Sequence, residues 1–141
     1  MRVMAILKSN AATEGGQLPD EAMLTAMVRY NEELVKAGVM VGGEGLKPSS
    51  AGVRVTFNGE RRSVTDGPFA EAKELIAGYW LLEVKSMAEA IDWIRRAPNP
   101  TPGESVIELR PLFEADDFGE AFTPEARAQE ERQRAAMSSR K

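Results

Sequence analysis

The stretch Tyr79-Trp80-Leu81-Leu82-Glu83-Val84, followed at once by Ser86-Met87-Ala88-Glu89, decides the fold class. Its first half is the most apolar run in the chain and reads as a central β-strand. Its second half is a capping box, with Ser86 as N-cap and Glu89 three residues on. Ala90, Ile91 and Ile94 continue at helical spacing, and Trp93 lies at their flank. Pro98-Asn99-Pro100-Thr101-Pro102-Gly103 stops that helix in a rigid loop. Val106, Glu108 and Arg110 then alternate with Ile107 and Leu109, the pattern of a last strand.

Working back from Tyr79, the chain reads as more strands and one more helix. Val53, Val55 and Phe57 alternate with Arg54 and Thr56, which predicts a half-buried strand. Asn58-Gly59 marks a hairpin, with Arg61 to Thr65 as its return strand. Val39-Met40-Val41 starts a strand towards Leu46, and Gly42, Gly43 and Gly45 within it predict a bulge or a close backbone approach. Lys47 to Ser50 is a turn. Pro19-Asp20-Glu21 opens a helix whose stripe is Met23, Met27, Tyr30 and Leu34, widened by Leu24, Val28 and Val35. Gly38 ends it as a left-handed cap. Ser9 to Gln17 reads as loop, and Val3 to Leu7 as a short buried strand.

The order is βαββαβ with an inserted β-hairpin, a ferredoxin-like α+β pattern. Two helices cover one face of such a sheet, yet both faces carry apolar residues. The other face needs a partner, and a second copy of the chain is the simplest one. The domain spans residues 1–112. Residues 113–141 form a C-terminal extension of different character. There, Phe113, Phe118 and Phe122 interleave with Glu114, Asp116, Asp117 and Glu120. Thr123-Pro124-Glu125 starts a polar helix in which Arg127 and Glu131, and Glu130 and Arg134, are spaced to pair. This helical arm suits solvent or a docked partner.

Composition excludes much chemistry. The 141 residues contain no Cys and no His, with 18 Lys+Arg against 22 Asp+Glu. Thiolate nucleophiles, Ser-His-Asp triads and His- or Cys-ligated metals are therefore excluded. A net charge of −4 argues against direct nucleic-acid binding. No apolar run approaches the roughly 20 residues of a membrane span, and nothing at the N-terminus reads as a signal peptide, so a cytoplasmic location is the expectation. No phosphate-binding loop, dinucleotide fingerprint or Ca²⁺ loop occurs, so no cofactor and no metal is expected.

The run Asp66-Gly67-Pro68-Phe69-Ala70-Glu71-Ala72-Lys73-Glu74, with Gly78-Tyr79-Trp80 after it, closely resembles the signature of the YCII-related family in its DGPF branch. Glu33-Leu34-Val35-Lys36-Ala37-Gly38-Val39, Gly43-Glu44-Gly45-Leu46 and Glu108-Leu109-Arg110-Pro111 extend the resemblance over residues 1–112. It implies a dimeric α+β barrel, two ferredoxin-like protomers packed sheet face to sheet face. It also implies a site around an Asp, which in other branches accompanies a His that this chain lacks. Relatives of the barrel act on small, often aromatic or chlorinated ring compounds. A link to transcription initiation factors is a further implication.

Asp66 is the catalytic candidate. Asp66-Gly67 suits a tight turn, with Gly67 at positive φ, and Pro68 stiffens it. Its carboxylate either caps the turn or faces a cleft as a base or ligand anchor. Gly67, Pro68, Phe69, Lys73, Glu44, Tyr79 and Trp80 are the ligand-binding candidates. Lys73 would share a helical face with Phe69 and meet an anion, or form a surface ion pair. Tyr79 and Trp80 point to opposite sides of their strand, one into the helix-facing core and one towards the cleft or dimer face. Glu44 would be partly buried, and a second carboxylate beside Asp66 could divide acid from base. Two functions compete. One is small-molecule binding or carboxylate-based catalysis in a barrel cleft, by a homodimer. The alternative is a non-catalytic accessory or regulatory protein acting through its dimer and arm. The sequence does not decide whether the chain is an enzyme.

Overall fold

A computed structural model describes residues 1–140. The chain divides into two compact units, Met1–Pro111 and a second beginning at Leu112. In the first, β1 (Arg2–Lys8), β2 (Met40–Gly45), β5 (Ile76–Glu83) and β6 (Ile107–Pro111) form one antiparallel sheet in the order β2-β5-β1-β6. This is the ferredoxin-like arrangement, with the apolar run from Tyr79 in a central strand. The inserted hairpin, β3 (Val53–Asn58) and β4 (Arg61–Asp66), is a separate two-stranded sheet. Helices α1 (Ala11–Glu14), α2 (Glu21–Lys36) and α3 (Met87–Ile94) complete the unit.

The core lies between the helices and one sheet face. Val3 and Ala5 of β1 and Trp80 and Leu82 of β5 pack with Tyr30, Leu34 and Ala90. By strand alternation Met4, Ile6, Tyr79 and Leu81 occupy the other face. These four are half-buried and lie outside that cluster. Asp20 caps α2 by accepting from the Met23 N–H, and Gly38 follows the helix at φ 73°. Ser86 caps α3 as the spacing predicts, but Glu89 reaches the Lys85 N–H instead of that of Ser86.

Several expectations need correction. Residues 9–17 are not all loop. Asn10 and Thr13 form a reciprocal capping box that starts the one-turn helix α1. Leu24, Val28 and Val35 do not widen the buried stripe of α2, because all three are exposed. Ile91 is exposed as well, and Met87 and Trp93 pack against the core on its helix. The hairpin is not half-buried, since every residue of β3 and β4 is exposed. Alternation there reflects the two faces of a ribbon without a covering layer. Its loop is Gly59-Glu60, with positive φ at Gly59 alone, the requirement of a type II′ turn.

The second unit holds a distorted 3₁₀ segment (Ala115–Ala121) and α4 (Pro124–Ser138). Phe118 lies between Phe113 and Phe122, tilted against the first and edge to face with the second, with ring centroids 5.0 and 6.0 Å away. Arg127 does not pair with Glu131. It turns back to Asp116 Oδ1 at 3.1 Å and to the carbonyls of Ala115 and Phe122. Arg134 and Glu130 do pair, at 2.8 Å.

Candidate functional site

A cleft of about 830 Å³ opens on the helix-covered side of the sheet, at the end where β2 stops and β5 begins. Its floor follows from missing side chains. The register pairs Gly43 with Trp80 and Gly45 with Gly78, so three glycines fall on the same face as Trp80. Where a core residue would project, the sheet presents backbone. A Cβ on Gly43 would sit 3.0 Å from the Tyr79 carbonyl, and one on Gly78 equally close to that of Glu44. At Gly45 a Cβ would meet nothing within 4 Å. Those strands are drawn together by their glycines, and Gly45 faces open space.

The walls come from α2 and from loops. Met23, Met27 and Asn31 are spaced four apart, so one ridge of the helix looks over the floor. Met40, Leu7 and Trp80 add apolar surface, and the segments 16–20 and 99–102 close the sides. The second of these segments is held firmly. Asn10 Nδ2 donates to Thr101 Oγ1 at 2.9 Å, Thr101 shares a 2.6 Å hydrogen bond with Ser105, and Asn99 donates to the Gly103 carbonyl. Trp80 is fixed as well. Its ring meets Tyr30 edge to face, and its indole N–H donates to Asn31 Oδ1 at 2.8 Å. The Tyr30 hydroxyl donates to the Trp93 carbonyl, and burial pushes its pKa up to about 12.

Of the residues singled out in the sequence, Trp80 faces this cleft, and Glu44 and Tyr79 also line it, where their carbonyls lie against the glycine floor, although alternation puts their side chains on the other sheet face. Trp80 serves both the helix-facing core and the cleft. Glu44 is exposed, against the expected partial burial. Asp66, Gly67, Pro68, Phe69 and Lys73 are not among the lining residues, so the cleft is not bounded by the Asp66 turn. It also does not bring Asp66 and Glu44 together.

The Asp66 turn is organised in its own way. Gly67 N–H donates to the Gly52 carbonyl at 2.9 Å, and Phe69 N–H donates to Ser49 Oγ at 3.0 Å. The Glu14 carboxylate accepts from both the N–H and the hydroxyl of Ser49. The Gly67–Pro68 bond is cis, and Gly67 is not at positive φ. Glycine is needed there because a Cβ would fall on the Ser49 carbonyl oxygen. The Arg54 guanidinium lies 3.8 Å from the centroid of the Phe69 ring. Downstream of Phe69 the chain forms the 3₁₀ turn Ala72–Glu74, which does not include Phe69, so Phe69 and Lys73 share no helical face. Asp66 is exposed, and neither turn N–H above is bonded to it. Among the described residues neither Asp66 nor Lys73 has an ion-pair partner.

Glu14, Ser49 and Asn31 are not singled out by the sequence, and Gly45 reads there as a bulge or close approach and not as a cleft floor. Asn31 left one signal: a polar residue on the Met23–Met27 ridge. Glu14 and Ser49 meet across 35 positions and left none. Among the described residues no cluster of three or more acidic side chains could hold a metal ion, and no helix is long and apolar enough to cross a membrane.

A family model for the YCII-related domain matches residues 1–116. The chain belongs to the YCII-related family. An uncharacterised protein from Rhizobium meliloti is 32% identical over 93 residues, spanning 66% of this chain and 75% of that protein. Among solved structures, a 5-chloro-2-hydroxyhydroquinone dehydrochlorinase from Burkholderia phenoliruptrix, in complex with 2,5-dihydroxybenzoquinone, aligns with a TM-score of 0.47 and 12% identity. It covers 81% of this chain and 95% of that one. The YCII-related match takes in every strand of the first unit and ends before α4.

Proposed function

We propose that this YCII-related protein binds a small organic molecule in the glycine-floored cleft and acts as a homodimer. The observation that carries the reading is the cleft itself. Its volume falls within the range of small-molecule sites, and its walls are apolar with a few fixed polar groups. The half-buried apolar residues on the other sheet face support the dimer, for which sedimentation at twice 15.4 kDa is expected and a 15.4 kDa species would refute it.

Binding is testable with the neutral dye N-phenyl-1-naphthylamine. The chain has two tryptophans, so Trp93→Phe leaves Trp80 as the only indole. Energy transfer from Trp80 to the dye, lost in Gly45→Leu, is expected. Transfer that survives in Gly45→Leu would place the dye elsewhere.

We assign the carboxylate chemistry of this reading to Asp66 of the DGPF-type turn. An exposed carboxylate with no ion-pair partner among the described residues, on a turn pinned by Ser49 and Gly52, supports it. Asp66→Asn should abolish any turnover and leave dye binding intact. A second reading, a non-catalytic accessory role, draws on exposed Phe113 and Phe118 in the C-terminal unit. It requires that deleting residues 113–141 abolish capture of a partner.

A further inference from the structure

The lining of the cleft carries more information than its volume, and one residue reads it out. Asn31 lies on the α2 ridge, within the lining and beside Trp80. An asparagine amide normally leaves open which end is oxygen and which is nitrogen. Here the partner decides. The indole N–H can only donate, so the atom 2.8 Å from it is Oδ1. That leaves Nδ2, a donor with two hydrogens, as the end of the side chain still to be satisfied. Among the described residues neither an ion pair nor a second hydrogen bond occupies Asn31.

The other polar groups of the interior are already committed. The Thr13 hydroxyl donates to the Asn10 carbonyl and accepts from the Asn10 N–H. Thr101 Oγ1 holds Asn10 Nδ2 and Ser105. Asn99 is engaged with Gly103 and with the Thr101 N–H. The charged lining residues Asp20, Glu44 and Lys47 are exposed, as is Gln17, and the Tyr79 side chain belongs by alternation to the sheet face opposite Trp80. The buried surface is thus neutral, rich in methionine and indole, and offers one spare donor. A buried cation would find no carboxylate among the buried lining, and a ligand with only donors would leave Asn31 Nδ2 without an acceptor.

Resting on the reading above, we infer that the cleft takes a neutral, mainly apolar molecule bearing a hydrogen-bond acceptor of the carbonyl type, and that Asn31 Nδ2 donates to it. Trp80 acts twice, as an apolar wall and as the group that fixes the polarity of Asn31. Met23, Met27 and Met40 adapt to the rest of the ligand.

The test uses three probes of similar size on the full chain, followed by NMR chemical-shift titration: acetophenone, ethylbenzene and benzylamine. Acetophenone should bind most tightly and benzylamine least. Asn31→Asp keeps an oxygen for the indole but replaces the donor with a second oxygen. It should weaken acetophenone roughly fivefold to tenfold and leave ethylbenzene unchanged. The amide spectrum of the variant reports whether the fold is intact. Asn31→Gln, which keeps the donor, should retain part of the preference. Equal weakening of acetophenone and ethylbenzene, or preferred binding of benzylamine, would overturn the role of Asn31 while leaving the cleft a binding site. Failure of all three probes to bind would overturn the cleft reading as well.

Discussion

Two glycines of the first unit, Gly67 in the DGPF-type turn and Gly45 on the cleft floor, are required for opposite reasons. At Gly67 there is no room, and a Cβ would fall on the Ser49 carbonyl oxygen. At Gly45 there is room, and a Cβ would meet nothing within 4 Å. The first glycine permits a contact and the second preserves a space. The more recognisable segment is the one whose backbone is locked, and the space lies where no short motif points. A sequence signature therefore marks a conformation here, while the cavity is assembled from residues scattered between Leu7 and Pro102.

The comparison can be broken at either end. Gly67→Ala should be the costlier change, destabilising by about 3 kcal/mol in urea unfolding, because the turn must move off Ser49. Gly45→Leu should change stability by less than about 1 kcal/mol yet reduce binding of a neutral dye more than tenfold. If the two substitutions had equal effects on stability, the contrast between a jammed and an open glycine would be wrong. Ser49→Ala should cost about 1–2 kcal/mol, since the Phe69 N–H and the Glu14 carboxylate lose a partner together, and it should leave dye binding unchanged.

The core behind Trp80 carries a smaller, pH-dependent effect. Burial raises the Tyr30 pKa from 10.0 to about 12, so the folded chain holds that proton more tightly than the unfolded one. The associated stability is complete below pH 10 and is lost as pH rises towards 12. Tyr30→Phe should flatten that part of a stability–pH profile. An unchanged profile would place the alkaline loss on another group. Smallest of all, Glu130→Gln, which breaks the partly exposed pair with Arg134 on α4, should shift stability by no more than about 0.5 kcal/mol.

Much of the fold is legible in the sequence because local chemistry and global packing agree. The Tyr79–Val84 run, the Ser86 cap, the Asp20 cap and Gly38 each specify an element by themselves, and together they give the βαββαβ order. Legibility fails where a pattern has two physical causes. Val53, Val55 and Phe57 alternate whether a core covers one face or nothing does. Leu24, Val28 and Val35 lie next to the buried stripe of α2, and spacing alone does not say where the stripe ends. The short α1 escapes notice because its capping box uses Asn10 and Thr13 instead of the usual Ser and Glu. The site is less legible still. Gly43 and Gly45 announce a close approach, as found for Gly43, but not a cavity. The donor at Asn31 exists only because an indole 49 positions away holds the other end of the amide.

Backbone amide shift mapping during titration with acetophenone tests the central claim most directly. Perturbations should gather at Asn31, Gly43, Gly45 and Gly78, with Gly67 and Phe69 unaffected. Perturbations centred on Gly67 and Phe69, with a silent cleft floor, would contradict it.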